Sequence, residues 1–306
     1  MTPATSDISV VISYHNRERY IDQAIQSVLG QTVKPLEIIL VNDCSRESSR
    51  RYLDHYKDIC TIVDLPVNVG LAGARNAGIQ AARGEFIALL DDDDIWLPGK
   101  LEVQRRYMEE HPECSVVHSA YWAFFTDHPD EMKTLFPHGA LTLADALTDE
   151  FWVCPSTMFF RAEALHKLAG FDASFRQCED RDIVIRCCAA GYRVEGIREP
   201  LVKLRRESHS SLTRNLWRIF RTDLRVCWKH RALYMQVYGL QGVASYTMEK
   251  LYTASRETRY VDGGVRLLLR FVKVKYRVRN GYQDPVWSEA RLGPRGNPLL
   301  TLRRSN

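Results

Sequence analysis

The stretch FIALLDDDDIW, Phe86 to Trp96, is the most informative part of this sequence about its fold. Its apolar run, Phe86–Leu90, has the length and composition of a buried strand, and four consecutive aspartates follow at once. Four adjacent carboxylates repel one another, so a folded chain keeps them for a function or leaves them in water. A solvated acidic turn, with Asp94 capping the next helix, is the plain structural explanation.

Strand and helix patterns alternate around this stretch, from residue 8 to about residue 111. The predicted strands are short apolar runs: Ile8–Ser13, Leu36–Asp43, Cys60–Leu65 and Glu85–Leu90. Amphipathic or Ala-rich segments separate them, and we expect Gly84 to end the last helix before Glu85. Such alternation is typical of an α/β fold with a mostly parallel sheet and helices on both faces.

Polar residues follow three of these strands, at Ser13–Asn16, Asn42-Asp43 and Asp91–Asp94. We expect them to converge, because ligands of such sheets bind in a crevice beyond the carboxyl ends of the strands. The chain has no G-x-G-x-x-G after the first strand and no phosphate-loop motif. Carboxylate oxygens suit Mg²⁺ or Mn²⁺, which share their ligand shell with substrate phosphates. The acidic run therefore indicates a phosphate-bearing ligand such as a nucleotide.

A second acidic centre, Glu179, Asp180 and Asp182 in QCEDRD, begins a predicted helix. Acids in a first turn are favourable to the helix dipole, which alone explains them. Beside a metal–nucleotide crevice, a carboxylate here is also a candidate general base for an attacking hydroxyl. Between the two centres, SVVHSAYWAFF and PSTMFF are predicted strands.

The overall composition limits the classes of protein to which this chain can belong. The chain has 306 residues, 45% of them hydrophobic and 26% charged, which is ordinary for one large or two smaller globular domains. No apolar run reaches the roughly 18 residues of a membrane span, and we expect no signal peptide. None of the eight cysteines forms a C-x-x-C pair, so free thiols in a reducing cytoplasm are expected rather than a zinc site or a disulfide framework.

Charge divides the chain. Residues 1–202 carry 20 Lys and Arg against 31 Asp and Glu, and residues 203–306 carry 22 against 7, which gives net charges of −11 and +15. A stripe of basic residues recurs every three or four positions: Arg214, Arg218, Arg221, Arg225 and Lys229. A second basic run spans 267–280. Two alternatives stay open: a solvated face of helices that pack on the first part, or contact with an anionic membrane surface. Nucleic acid is not expected, because the front half is acidic.

Several segments in order carry a family resemblance: ISVVISYHNRERYIDQAIQSVLGQT (8–32), EIILVNDCS (37–45), NVGLAGARNAGIQAARGEFIALLDDDDIWLPGKL (68–101), FRQCEDRDIVIRCCAAGY (175–192) and LRRESHSSLT (204–213). Together they resemble the family 2 glycosyltransferases over about residues 7–213. The resemblance implies the A-type glycosyltransferase fold. It further implies a catalytic nucleotide-sugar-binding domain at 1–213 and a basic, mainly helical C-terminal region at 214–306.

The resemblance also implies roles for individual residues, which fall into three groups. The donor-binding group comprises Ser13 and His15 at the uracil and ribose, together with Asn16, and Asp43 at the base N–H. It also includes Arg75 near the diphosphate or base, and Asp91 or Asp92 at the ribose or a water of the metal. The metal group is Asp93 with Asp91 and His209. His209 is expected at the metal or the diphosphate, with an ordinary surface or core histidine as an equal alternative. The catalytic group is Asp180, as the base, with Glu179.

The implied reaction is an inverting, metal-dependent transfer from a nucleoside-diphosphate sugar to a hydroxyl of a glycan or lipid-linked saccharide, as in bacterial surface polysaccharide synthesis. UDP is the expected carrier and dTDP the next. The expected location is the cytoplasm, with peripheral contact at the inner face of the membrane. A nucleotidyltransferase or sugar-nucleotide pyrophosphorylase would need a Gly-rich basic loop after the first strand, and SYHNRERY is not one. A non-catalytic nucleotide-sugar-binding module would be favoured by loss of either acidic centre.

One motif departs from the family. Where D-D-G-S is usual, this chain has Asn42-Asp43-Cys44-Ser45. Asn42 and Cys44 could shift the nucleotide preference between uridine and thymidine. A cysteine in place of the usual glycine predicts an ordinary backbone conformation there. Trp152 is expected either to stack on a sugar or to be buried.

Overall fold

The structure is a computed structural model that describes residues 7–128, 132–137, 139–148, 153–206, 216–255 and 288–290. The described residues fall into two compact units, one within Met1–Ser208 and Val286–Asn306 and the other within His209–Pro285. The predicted domain boundary at 213 and 214 lies outside the described residues, as do His209 and Trp152.

The predicted alternation of strands and helices is confirmed. The elements are β1 (Ile8–Tyr14), α1 (Glu18–Leu29), β2 (Glu37–Asn42), α2 (Glu47–Tyr52), β3 (Thr61–Asp64), α3 (Gly70–Ala81), β4 (Phe86–Asp91), β5 (Ile95–Trp96) and α4 (Lys100–Glu110). Strands β4, β1, β2 and β3 lie side by side and parallel. All seven residues of β1 are buried, which explains its continuous apolar run, since both faces of this strand are covered.

The rest of the first unit extends this parallel core into a mixed sheet. It contains β6 (Cys114–Phe125), β7 (Met132–Leu135), α5 (Leu143–Leu147), β8 (Phe159–Arg161), α6 (Ala162–Lys167), α7 (Glu179–Ala189) and β9 (Arg193–Arg206). Strand β8 runs antiparallel between β4 and β6, and β9 runs parallel to β6. The expected α/β class is therefore confirmed.

The second unit contains two helices, α8 (Leu216–Lys229) and α9 (Arg231–Ser255). The backbone of α9 leaves the helical region at Gly239, where φ is +63°. A helical character of the C-terminal region is thereby confirmed for 216–255. Further along the chain, β10 (Ser288–Ala290) pairs antiparallel with β7. Across the described residues, no helix combines the length and the apolar composition that crossing a membrane requires.

Two local predictions are wrong. PSTMFF is not one strand, because Pro155–Thr157 form a 3₁₀ turn that the Thr157 N–H closes by donating to the Cys154 carbonyl at 2.8 Å. Gly84 does not end a helix, since α3 ends at Ala81. A Cβ at Gly84 would lie 2.5 Å from the Asp7 carbonyl oxygen, so the glycine allows a close approach to the start of β1.

The expectation of an ordinary backbone at Cys44 is also wrong. Its φ is +53°, in the left-handed region that disfavours residues with a Cβ. The turn is held from both sides of Cys44: its own N–H donates to the Asn42 carbonyl at 3.0 Å, and the Ser45 N–H donates to the Asn42 side chain at 3.1 Å. Asn16, just beyond β1, adopts the same conformation, with φ +55°.

Candidate active site

The polar ends of β1, β2 and β4 meet at one edge of the sheet, as predicted. In the strand register, Tyr14 is opposite Asn42 and Ser13 is opposite Asp91. A pocket of about 230 Å³ opens there. The polar residues that line it include Ser13, His15, Arg17, Asp43, Asn68 and Asp92.

The loop after β1 is fixed by hydrogen bonds to both neighbouring strands. The His15 backbone N–H donates to Asp92 Oδ2 at 3.1 Å. Its ring Nδ1 lies 2.8 Å from the Asp43 carbonyl oxygen, and its Nε2 lies 2.9 Å from Asn16 Nδ2. Because the carbonyl can only accept, we assign the ring proton to Nδ1, which leaves Nε2 to accept from Asn16. The His15 ring is thus held in one orientation at the pocket.

Two pocket residues differ in their free hydrogen-bonding capacity. Asp43 accepts with both carboxylate oxygens at the start of α3, from the N–H of Val69, just before the helix, at 2.7 Å and from the N–H of Gly70, its first residue, at 2.9 Å. Ser13 Oγ is buried and makes no hydrogen bond within the described part of the chain. A buried hydroxyl without a partner is costly, so Ser13 has a donor and acceptor to offer a ligand.

The four aspartates of the run have four different sets of contacts. Asp91 Oδ1 pairs with Arg75 at 2.6 Å. Arg17 lies 3.5 Å from Asp92 and also contacts Asp93 closely. Asp94 accepts hydrogen bonds from Ser156 Oγ at 2.6 Å and from the Arg205 N–H at 3.0 Å. Burial raises the pKa of Asp92, Asp93 and Asp94, and the charges of neighbouring aspartates raise these pKa values further. Adding a cation would lower the electrostatic cost of keeping all of them ionised.

Beneath the run, one buried guanidinium joins both acidic centres. The Arg75 side chain is 2% exposed and contacts Asp91 at 2.6 Å and Glu179 at 2.7 Å. The structure therefore places Arg75 between two carboxylates rather than at the surface of the crevice. Asp180, the next residue, does not share this ion pair. Burial and the Glu179 charge raise the pKa of Asp180 to about 7, which suits a group that accepts a proton near neutral pH.

Oxygen ligands for a hard cation are present in the same place. Ligand atoms of Asp91, Asp94 and Cys154 lie within 4.8 Å of one another. Burial raises the pKa of the Cys154 thiol well above its usual value, so the thiol stays protonated and the carboxylates are the suitable ligands. The donor chemistry fits Mg²⁺ or Mn²⁺. Asp93 remains paired with Arg17 at the outer side of the run.

Four site residues were not predicted from the sequence: Arg17, Asn68, Ser156 and Arg205. Arg17 directly follows the polar end of β1, and that position was the available signal. Asn68 donates to the Asp43 carbonyl at 3.2 Å. Ser156 and Arg205 reach the aspartate run from 62 and 111 residues away along the chain, so no local pattern marks them.

Comparison with solved structures first defines the class of fold. Staphylococcus aureus TarS residues 1–349, solved with UDP-GlcNAc, matches 97% of this chain and 100% of that chain with a TM-score of 0.59 and 16% identity. The mannosyltransferase PcManGT of Pyrobaculum calidifontis, solved with GDP-Man and Mn²⁺, matches 90% of this chain and 83% of that chain with a TM-score of 0.52 and 17% identity. The fold is that of these glycosyltransferases.

Sequence comparison gives the family. Residues 9–169 match the family described as glycosyl transferase family 2. An uncharacterised glycosyltransferase of Methanocaldococcus jannaschii is 32% identical over 65% of this chain and 70% of its own length. The amylovoran biosynthesis glycosyltransferase AmsE of Erwinia amylovora is 28% identical over 71% of this chain and 83% of its own length. The chain belongs to glycosyl transferase family 2.

Proposed function

We propose that this protein is an inverting, metal-dependent glycosyltransferase. It moves a sugar from a nucleoside-diphosphate sugar, with UDP the first expectation and dTDP the second, to a hydroxyl of a glycan or lipid-linked saccharide in surface polysaccharide synthesis. One observation carries the proposal: Arg75 joins the carboxylate run, at Asp91, to Glu179, and the adjacent Asp180 is a separate carboxyl whose pKa is raised by burial and by the Glu179 charge to about 7. The name of the relative AmsE and the UDP-GlcNAc in the TarS structure support the substrate class.

The donor nucleoside occupies the pocket at the strand ends in this proposal. Ser13 Oγ, which has no protein partner within the described residues, hydrogen-bonds the donor. His15 and Asn16 present a fixed polar surface, and Asp43 receives the base N–H with the lone pairs that its contacts to α3 leave open. Asp91 and Asp92 then lie on the side of the ribose and diphosphate.

A divalent cation, Mg²⁺ or Mn²⁺, would be held by Asp93 and Asp91, with His209 as a further ligand. When bound, this ion offsets the negative charge of the departing nucleoside diphosphate. The oxygen donors of the run support this fit: burial first, and then the charges of neighbouring aspartates, raise the pKa of Asp92, Asp93 and Asp94, and a bound cation would favour their ionised forms.

Asp180 is the general base. Its carboxylate takes the proton of the acceptor hydroxyl as the oxygen attacks the anomeric carbon from the side opposite the nucleoside diphosphate, so the configuration inverts. Glu179 acts through Asp180, because its nearby charge raises the proton affinity of the Asp180 carboxylate. The backbone N–H of Arg181 donates to Asp180 Oδ1 at 2.8 Å and orients the group.

In this proposal the enzyme works in the cytoplasm, with peripheral contact at the inner membrane face through the basic C-terminal region. A lipid-linked acceptor would lie at that face.

Two alternative functions are a nucleotidyltransferase and a non-catalytic nucleotide-sugar-binding module. Product analysis separates them: transfer releases a nucleoside diphosphate, nucleotidyl transfer releases pyrophosphate, and a binding module releases neither.

A thermal-shift screen of UDP, TDP, GDP and CDP, each with and without Mn²⁺, tests the donor site. A ligand that binds only the native state raises the melting temperature by mass action, so one nucleoside diphosphate should raise it only with the metal. Asp93→Ala should remove the metal-dependent shift, whereas Asp58→Ala, at an exposed position on the same unit, should keep it. No shift from any nucleoside diphosphate would contradict the proposal.

A further inference from the structure

Helix α8 has one clearly exposed face, which consists of Arg221, Leu224, Arg225, Trp228 and Lys229. At 100° per residue, these five positions lie within an arc of roughly 140°. The opposite arc holds Asp223, Val226 and His230, which are all buried. We call the exposed set the α8 basic face.

Positive charge dominates this surface. Arg221, Arg225, Lys229 and, at the start of α9, Arg231 are exposed. Among the described side chains between 221 and 240, the one acidic residue is Asp223, which is 3% exposed. The exposed side chains of this stretch therefore carry four positive charges and no negative charge. An anionic partner is the electrostatic complement of such a surface.

Apolar groups lie among these charges. Trp228 is 71% exposed and Leu224 is 37% exposed. The Arg231 guanidinium lies 4.9 Å from the centre of the Trp228 ring and donates to the Trp228 carbonyl at 3.0 Å. Tryptophan with arginine and lysine is the composition of helices that lie in the membrane interface, where the ring enters the headgroup region and the long basic side chains reach the phosphates.

We infer that the α8 basic face docks on a bilayer surface that contains anionic phospholipid. Trp228 and Leu224 enter the headgroup region, and Arg221, Arg225 and Lys229 contact the lipid phosphates. The inference deepens the peripheral membrane contact of the proposed function. It needs neither donor nor acceptor, so its failure would leave the proposed reaction standing.

Two other partners fit the α8 basic face less well, a second copy of this chain and a nucleic acid. A two-fold pairing of two copies through it would bring like charges together, which is unfavourable. A nucleic-acid partner would share the negative charge of the bilayer, but its phosphate backbone has no apolar region to take up the exposed Trp228 and Leu224.

Co-sedimentation of the full chain with vesicles tests the inference. The protein should bind vesicles of phosphatidylcholine with phosphatidylglycerol, should bind pure phosphatidylcholine much more weakly, and should lose binding as salt is added. A basic residue near the surface contributes about fivefold in affinity, so Arg221→Glu with Arg225→Glu should weaken binding by more than about 25-fold. Trp228→Ser should weaken it without altering the UDP-dependent thermal shift.

The matched control is Arg51→Glu with Arg106→Glu, two exposed arginines of the first unit that change the net charge equally. This control should keep most of the binding, and near-ultraviolet circular dichroism should show that every variant is folded. The inference is overturned if the chain ignores anionic vesicles, if it binds neutral vesicles equally well, or if the control loses as much binding as the α8 variant. A dimer in light scattering that Trp228→Ser dissociates would assign the face to a second copy and also overturn it.

Discussion

Arg75 and Arg17 both contact the aspartate run at the end of β4, but they lie at different depths. The side chain of Arg75 is 2% exposed and bridges Asp91 and Glu179, whereas that of Arg17 is 44% exposed and contacts Asp92 and Asp93. Opening a buried pair leaves an uncompensated charge in the interior, while a half-exposed pair exchanges partners at little cost. The inner contact thus belongs to the scaffold, and the outer contact is replaceable.

The same contrast separates two neighbouring residues at the start of α7. Glu179 forms an ion pair with Arg75, and Asp180 does not take part in this pair. Cys178, which precedes them, has φ +62°, so the chain enters the helix through a left-handed turn. The two adjacent carboxylates therefore have different surroundings: Glu179 is paired with the buried Arg75, and Asp180, the proposed base, is not.

The largest predicted effect follows from this division. Asp180→Asn should lower kcat by about two to four orders of magnitude, because the amide cannot accept the acceptor proton. The UDP-dependent thermal shift should stay as in the wild type. For the wild type, kcat should rise with pH up to about 7 and then level off, since the carboxyl with a pKa of about 7 is protonated and inactive below that value. Steady-state kinetics across pH 5 to 9 provide the measurement.

Asp172→Asn, in the loop before α7, serves as the control and should retain the wild-type pH profile. Near-wild-type turnover by Asp180→Asn would show that another group takes the proton. An unchanged slope below pH 7 in that variant would show that the titration belongs elsewhere.

Arg75→Met tests the scaffold role of the inner arginine. Methionine keeps much of the volume but leaves the buried Glu179 and the partly buried Asp91 without their cation, so the free energy of unfolding should fall by about 3 to 5 kcal/mol. Urea unfolding gives this value. Arg50→Met, which removes a 30% exposed arginine paired with Asp54 and Asp64, should cost no more than about 1 kcal/mol. Equal losses in both variants would erase the distinction between buried and exposed pairs.

The sequence predicts the position of the site well, because the rule it uses is geometric. Carboxyl ends of parallel strands share one edge of the sheet whatever their side chains, so Ser13, Asp43 and Asp91 had to lie near one another. The buried runs of β1 and β4 needed only composition and length to be recognised. The partners within the site could not be predicted in this way, since Ser156 and Arg205 reach Asp94 through tertiary packing alone.

The wrong predictions have another cause: specific contacts outweigh the local conformational preferences of the residues. The left-handed conformation of Cys44 costs about 1 to 2 kcal/mol relative to glycine, yet the hydrogen bonds of Asn42 to Cys44 and Ser45 hold the turn. Asn42 also donates to Asp64 at 2.8 Å, so its side chain supports the end of β2 and β3. Asn42, which stands where the family usually has aspartate, therefore helps to stabilise this turn.

The smallest predicted effect concerns the outer arginine. A cation that binds Asp93 competes with Arg17, and a pair whose arginine is 44% exposed is worth only about 1 kcal/mol. Arg17→Gln should therefore tighten Mn²⁺ binding in the absence of donor by up to about fivefold, as isothermal titration calorimetry measures, with little change in the free energy of unfolding. Arg17→Lys keeps the charge and should leave the Mn²⁺ affinity near the wild-type value. Weaker Mn²⁺ binding by Arg17→Gln would mean that the guanidinium organises the aspartates for the cation, and the outer contact would then belong to the scaffold as the inner one does.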